Sequence, residues 1–392
     1  MPCYMSQKQG RFGPTSRMIS HRRRSVGPQN GVEEPKRGPR RYLECVNTTK
    51  TVRLAQCTPP CPFCPTPTKV GVHSRADQRY RCHQCKKTFT QTNGTPLYGL
   101  KTDFDVVFII LTLLIFGCPI PAVVAAFKVD ERTLADWIDK AGEHAQRVQG
   151  HLVCQGNLEL RQVQADELWC RSQRGVLWLA TAMSVSARLL IWGKVASGRT
   201  EALMDAVVLQ VHRATRLQSP ILWATDGFST WTGCIMHHFR SALLTGRRGH
   251  PALVQWAELH IVQVIKRTYG ERIERRLAWG DLFEALHLIE TTQGKPGTIN
   301  TAFVERLNAT LRTWLPALTR RSRHAGSDHE RLERHFFLVL VAYNFIRPRR
   351  SLQRRVDGRW IERTAGMAAS LTDHPWPMED LLSFRLPPSQ AA

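Results

Sequence analysis

Acidic residues are scarce in this chain: 32 Asp and Glu stand against 55 Lys and Arg over 392 residues, a formal charge of +23. Lysine is scarce among the cations, with 12 against 43 arginines. So large a deficit of acid argues against an ordinary small-molecule enzyme. It points to a polyanionic partner, either nucleic acid or an anionic membrane surface. Arginine suits phosphate, because its planar guanidinium meets phosphate oxygens in pairs; a GC-rich genome produces the same bias. Long unbroken apolar runs are also missing. Val106 to Phe127 carries no charge for 22 residues, the length of a membrane span. Gly117-Cys118-Pro119-Ile120-Pro121 divides it, and two prolines break the helix, so a soluble chain is expected.

No secretory pattern opens the chain. Residues 1–56 hold 12 basic and 3 acidic residues, with HRRR at 21–24, and read as a disordered basic arm in which Met5 and Met18 are alternative starts. Nor is there a disulfide framework. Eleven cysteines in a scattered, odd set indicate a reducing compartment. The 42% hydrophobic content is enough for real cores, and the length allows two or three domains.

Four cysteines do form a pattern. Cys61-Pro-Phe-Cys64 is followed after seventeen residues by Cys82-His-Gln-Cys85, the spacing of a four-thiolate zinc ribbon. Each C-x2-C knuckle sets two sulfurs on one side, and the hairpin between them brings the knuckles around a tetrahedral ion. Four protein ligands leave no open position, so the zinc is structural. Cys57, His73 and His83 are the alternative ligands. Arg75, Arg79, Arg81, Lys86 and Lys87 decorate this segment, either touching phosphates or solubilising a small domain.

After the ribbon, over 57–100, three helices are expected over 101–150. Phe104 to Phe116 reads as a buried helix and Ile120 to Phe127 as a short second one. Asp130 is a plausible cap for a third, along which Leu134, Trp137, Ile138 and Ala141 recur at helical steps. This suits a helix-turn-helix whose last helix enters the major groove, with Arg132, Thr133 and Asp136 near its exposed start. A generic three-helix bundle is the alternative.

From residue 160 the period changes. RQVQADELW, VLWLATAMSV and ARLLIWGKV are strand-like, a helix follows from Thr200 to Arg213, and Pro220 to Gly227 is an apolar strand ending in an acid. Three antiparallel strands, a helix and another strand is the order of an α/β RNase H-like core, a mixed sheet flanked by helices. Asp166 on the first strand and Asp226 at the end of the fourth then come close. Glu305 is the third carboxylate wanted from a later helix, on which Phe303, Leu307, Leu311, Trp314 and Leu318 make the buried stripe. Asn308 and Arg312 share its face toward metal and DNA. Three such acids can hold two divalent ions roughly 3.5–4 Å apart, clamping the attacking and leaving oxygens of a phosphodiester. Glu167 can stand in for Asp166, and Glu258, Glu271 or Glu274 for Glu305. His237 and His238 read as surface residues.

In CPFC…QRYRCHQCKKTF, in ADELW with VLWLATA, in ILWATDG, in VERLNATLRTWLPALTRRS and in AYNFIRPRRSL, the chain resembles insertion-sequence-one-type bacterial transposases of the DDE superfamily. The likeness runs from residue 59 to about 350. It implies a catalytic triad of Asp166, Asp226 and Glu305 holding two Mg²⁺ or Mn²⁺ ions in a catalytic domain over 160–350, and Cys61, Cys64, Cys82 and Cys85 as zinc ligands. DNA contact would fall to Lys86, Lys87, Arg132, Thr133, Asn308 and Arg312. It further implies binding to terminal inverted repeats of double-stranded DNA, 3′-end cleavage and strand transfer by a homodimer or larger multimer. The setting would be a bacterial or archaeal cytoplasm, at the nucleoid. Two departures stand out. The reading frame is continuous where the simplest members join two, and 78 residues separate Asp226 from Glu305. The excess reads as an insertion over about 240–297 with an extra strand pair and a charged turn. A catalytically silent or nuclease-only DNA-binding protein of the same fold is the alternative. The tail, 351–392, carries no readable chemistry.

Overall fold

β-Branched and aliphatic residues crowd the stretch from 161 to 279, and there the chain pairs into one six-stranded sheet. The computed structural model describes residues 58–64, 69–76, 78–172, 175–243, 250–266, 273–294, 297–318 and 328–387. The basic arm, Cys57, the charged turn with Glu271, and Arg320, Arg321 and Arg323 lie outside the described residues.

The N-terminal elements are β1 (Val70–Ser74), β2 (Arg79–Cys82), β3 (Thr88–Thr90), α1 (Phe104–Ile115), α2 (Ile120–Phe127) and α3 (Glu131–Val153). Next come β4 (Arg161–Ser172), β5 (Gly175–Ser184), β6 (Leu190–Ala196), α4 (Glu201–Ala214), β7 (Ile221–Asp226) and α5 (Ser229–His238). Then follow β8 (Arg240–Leu243), β9 (Ala252–Gln255), β10 (Leu259–Lys266), β11 (Ile273–Trp279), α6 (Leu282–Gln293), α7 (Ala302–Trp314) and α8 (His329–Val341). The chain closes with β12 (Arg354–Val356), β13 (Arg359–Ile361), α9 (Ala365–Ala368) and α10 (Met378–Ser383).

The central sheet runs β11-β10-β7-β4-β5-β6. β4, β5 and β6 form an antiparallel meander, β7 is parallel to β4, β10 is parallel to β7, and β11 turns back on β10. The result is a mixed α/β fold with helices packed on a six-stranded mixed sheet. The strand pair expected in the 240–297 insertion is present as β10 and β11, yet it is no appendage. β10 reads Leu-His-Ile-Val-Gln-Val-Ile and is buried through its first six residues, the unbroken pattern of an inner parallel strand covered on both faces. It therefore takes a place beside β7, and within this segment β8 and β9 form a separate two-stranded piece.

β6 is the sheet's edge, and an edge needs partners for its free backbone groups. Side chains from two helical segments supply them. Asn344 accepts from the Leu190 N–H (2.9 Å) and donates to its carbonyl (2.8 Å). Gln149 of α3 donates to the carbonyls of Leu190 and Ile191, and Glu333 of α8 accepts from the Val195 N–H (3.1 Å). This explains the length of α3, 23 residues. Its start matches expectation, with Asp130 accepting from the Arg132 N–H at 2.8 Å. Its second half runs past residue 150 and lies along α8, closely enough that a Cβ on Gly142 would come within 2.2 Å of the Arg334 carbonyl oxygen. α1 ends before the two prolines and α2 starts at them, and among the described residues no helix is long and apolar enough to cross a membrane.

The C-terminal segment is not idle. Trp376 stacks between Phe345 (4.7 Å) and Phe384 (5.6 Å), the Leu381 carbonyl meets the buried His144 ring of α3, and Arg385 donates to the carbonyls of Pro60 and Gln91.

Replacing Asn344 by alanine strands the Leu190 N–H at a buried edge and leaves the Leu190 carbonyl to Gln149 alone. We expect a loss of about 2–4 kcal/mol in chemical denaturation; a change below about 0.5 kcal/mol would show that the edge does not need this amide.

Candidate metal centres

The two knuckles converge because β1, β2 and β3 form a small antiparallel sheet that returns Cys82 toward Cys61 and Cys64. The Cys61 and Cys85 sulfurs are 3.6 Å apart and those of Cys64 and Cys82 3.8 Å apart. All four ligand atoms lie within 4.8 Å of one another. Tetrahedral thiolates about 2.3 Å from a central ion sit about 3.75 Å from each other, so the set suits one four-sulfur site. Each knuckle also turns a backbone N–H onto its first sulfur, Phe63 onto Cys61 and Gln84 onto Cys82, both at 3.4 Å. Burial pushes the Cys61 thiol up, and burial with neighbouring thiols holds Cys64 at about 12; a bound cation would have to displace those protons. His73 and His83 are exposed and outside the cluster. Lys86 and Lys87 are exposed beside it, Lys87 lying 4.9 Å over the Phe63 ring.

The second centre arises where the sheet splits. The β4–β7 ladder stops at Gln164 and Ala224, while β7 stays paired with β10 through Asp226 and Val264. A crevice at the carboxyl ends of diverging parallel strands is the usual ligand position in open α/β sheets. Here it is a cleft of about 510 Å³ lined by Asp166, Asp226, Glu305, Arg199, Lys266 and Phe228 among others.

Asp166 is held from two sides. One oxygen accepts from the Glu167 N–H (2.9 Å), the other from the Asn308 amide of α7 (2.7 Å). Asp226 accepts from the Phe228 N–H (3.0 Å) and from Arg199 (3.1 Å). Glu305 pairs with Lys266 of β10 (2.6 Å) and accepts from the Thr301 hydroxyl (2.8 Å). The three expected acids thus share one cleft. The tightest group of carboxylates is Asp166, Glu167 and Asp226, each with an oxygen within 4.8 Å of the others, although Glu167 does not line the cleft. Its oxygens are taken by Arg199 and by the Trp231 indole (2.9 Å). Glu258 begins the far end of β10, and neither it nor Glu274 lines the cleft.

Arg199 and Lys266 were not legible in the sequence as site residues. Arg199 bridges Glu167 and Asp226 and lies 3.8 Å over the Phe228 ring. On α7 the buried stripe is Val304, Leu307, Leu311 and Trp314. Phe303, expected in it, is half-buried, with the Arg188 guanidinium 3.8 Å from its ring. Arg312 is half-buried one turn past Asn308. On α3, Arg132 is exposed and Thr133 half-buried. His237 is exposed; His238 is partly covered and bonds Asp205 at 2.7 Å.

Fold and clusters together define a mixed α/β protein with a four-cysteine cluster and an acidic cleft, each able to hold metal. No family model matches the chain, and no curated protein sequence matches it.

Burial, then the neighbouring Asp226 and Glu305, raises Asp166 to about 7 against the opposing pull of Lys266 and Arg199. A carboxyl tighter for its proton when folded than when unfolded, at about 3.9, loses stability as pH climbs between those values. Asp166→Asn should therefore raise the melting temperature at pH 8 without added magnesium and leave it unchanged near pH 4. The Asn308 carbonyl oxygen, buried without a partner, allows its amide to turn and match the new side chain. A lower melting temperature at pH 8 would show that the carboxylate is not under strain.

Proposed function

We propose that the chain is a DDE-type DNA transposase, similar to the insertion-sequence-one type, that cuts the ends of its own element and joins them to target DNA. The observation that carries this reading is the convergence of Asp166, Asp226 and Glu305, from three distant segments, on one cleft at the split edge of a mixed sheet. The meander followed by two parallel strands supports an RNase H-like assignment of that domain. The sulfur tetrahedron supports zinc in a ribbon over 57–100, and the α1–α3 order supports a helix-turn-helix over 101–150 that reads the terminal repeats. The net charge of +23 suits a DNA partner. Under this reading the protein works at the nucleoid as a dimer or larger multimer, pairing two ends.

The three carboxylates would hold two Mg²⁺ or Mn²⁺ ions, which when bound align and polarise the oxygens of a phosphodiester. The chain's own contribution is placement. Asn308 fixes the rotation of Asp166, and the Phe228 N–H fixes that of Asp226. Arg199 and Lys266, which neutralise the acids in this structure, sit where released cations would meet phosphate oxygens.

The test is joining of a repeat-ended oligonucleotide to plasmid by the full-length protein with Mg²⁺. Asp226→Asn should cut joining by at least about 100-fold, and normal joining by that variant would sink the mechanism. Cutting without joining would instead mark a nuclease, and binding without either a silent relative. A companion measurement addresses the ribbon: purified protein should carry one tightly held zinc by elemental analysis, and Cys82→Ser should lose it. Retention of zinc by the variant would exclude the four-thiolate site.

A further inference from the structure

We propose that the outer face of the β4–β5 hairpin is a stacking platform for unpaired bases of the nucleic-acid strand whose phosphate lies in the carboxylate cleft. The inference rests on the transposase reading of that cleft and adds a surface to it that no catalytic role requires.

β4 does not stop at its acid. It continues six residues past Asp166 to Ser172, paired with β5 from Asp166 and Thr181 out to Ser172 and Gly175. β7 left this ladder at Gln164, and β6 reaches only Trp178. The outermost part is therefore a two-stranded arm projecting beyond the cleft. One of its faces is sealed by Leu168, Cys170 and Leu177, all buried. The other bears Glu167, Trp169 and Arg171 on β4, with Val176 and Trp178 across from them.

On that face Trp169 is 39% exposed and Val176 43%. Trp169 lies directly opposite Trp178, and the Arg199 guanidinium is 5.5 Å from the Trp178 ring centre and 3.8 Å from that of Phe228. Phe228 and Arg199 line the cleft. Aromatic rings interleaved with a cation thus lead from the hairpin to the carboxylates. Trp169 is three residues from Asp166, about 10 Å along the strand.

Charge decides among occupants. The nearest acid on this face is Glu167, and both its oxygens are engaged by Arg199 and Trp231. Among the described residues the exposed charge on this face is Arg171, which favours a polyanion. Rings that accept any base face, set among guanidiniums that accept phosphate, are the chemistry of single-strand recognition. A paired, stacked base offers no face to such a ring, so the strand must be frayed near the cut.

The test uses the full-length chain without added divalent metal, so that binding is read apart from catalysis. Two fluorescent duplexes of one sequence are compared by anisotropy, one fully paired and one with mismatched terminal nucleotides. Wild type should prefer the frayed end. Trp169→Ala should weaken the frayed duplex about 10-fold while leaving the paired one within about twofold, and Trp169→Phe should restore most of the loss. Because Trp169 is partly exposed, a thermal melt should show the variants folded. Equal binding of the frayed end by wild type and Trp169→Ala, or equal losses on both duplexes, would overturn the platform and leave the transposase reading standing. Failure of wild type to bind either duplex would remove both.

Discussion

The cleft depends on one buried amide. Gln164 sits on β4 two residues before Asp166, on the same face, and its carbonyl oxygen accepts from the backbone N–H groups of Phe303 (2.9 Å) and Val304 (3.0 Å). Its nitrogen donates to the Asn300 carbonyl (2.8 Å). α7 has no side-chain cap from its own N-cap residue, Thr301; a strand residue from 140 positions earlier does that work. A helix start otherwise leaves N–H groups without partners, and burying them unpaired is costly. Fixing the first turn of α7 to β4 fixes its phase as well. Asn308 then reaches Asp166, and Glu305 lines the cleft. Sheet, helix and acids are tied through a residue that carries no charge.

The electrostatics of the cleft follow from that geometry. Three carboxylates are brought together in a protein with few of them, and each would repel the others. Arg199 on Asp226 and Lys266 on Glu305 offset this, and the hydrogen bonds from Lys266 and Thr301, working against burial, lower the Glu305 carboxyl. Asp166 has no cation in direct contact among the described residues and stays raised. A site that holds one acid poised for protonation and two others paired with cationic side chains is suited to exchange those cations for divalent ions.

The sequence made the local signals legible and the shared ones opaque. The thiolate spacing, the Asp130 cap, the meander and the acid at the end of β7 all live within short stretches whose chemistry reads directly. Glu305 was legible as a candidate from its helical pattern and from resemblance, but its setting was not, because its placement depends on Gln164 and Lys266 from elsewhere. Arg199 follows a small-residue turn, Ser197-Gly198, with nothing to separate it from other arginines of a basic chain. The 240–297 segment read as an insertion because its length exceeded expectation, whereas the burial of Leu259 to Val264 decides that it belongs to the sheet.

The same limit applies to charge. The arginines of AYNFIRPRRSL carry nothing in sequence to tell packing from ligand contact, and the fold uses them for packing. Arg347 lies 4.8 Å over the Trp314 ring and Arg349 3.4 Å over Tyr343, where stacking and burial occupy their faces. Such residues pack the joint between α7 and the turn after α8 before they meet any ligand. α3 shows the counterpart. Its exposed first turn presents Arg132 to solvent, while its far end, through Gln149, closes the β6 edge on which the sheet terminates. A single helix thereby couples the surface proposed to read DNA to the sheet that carries the acids. The orientation of one relative to the other is set by the buried amides Gln149 and Asn344, which hydrogen-bond to each other at 3.2 Å, rather than by a linker.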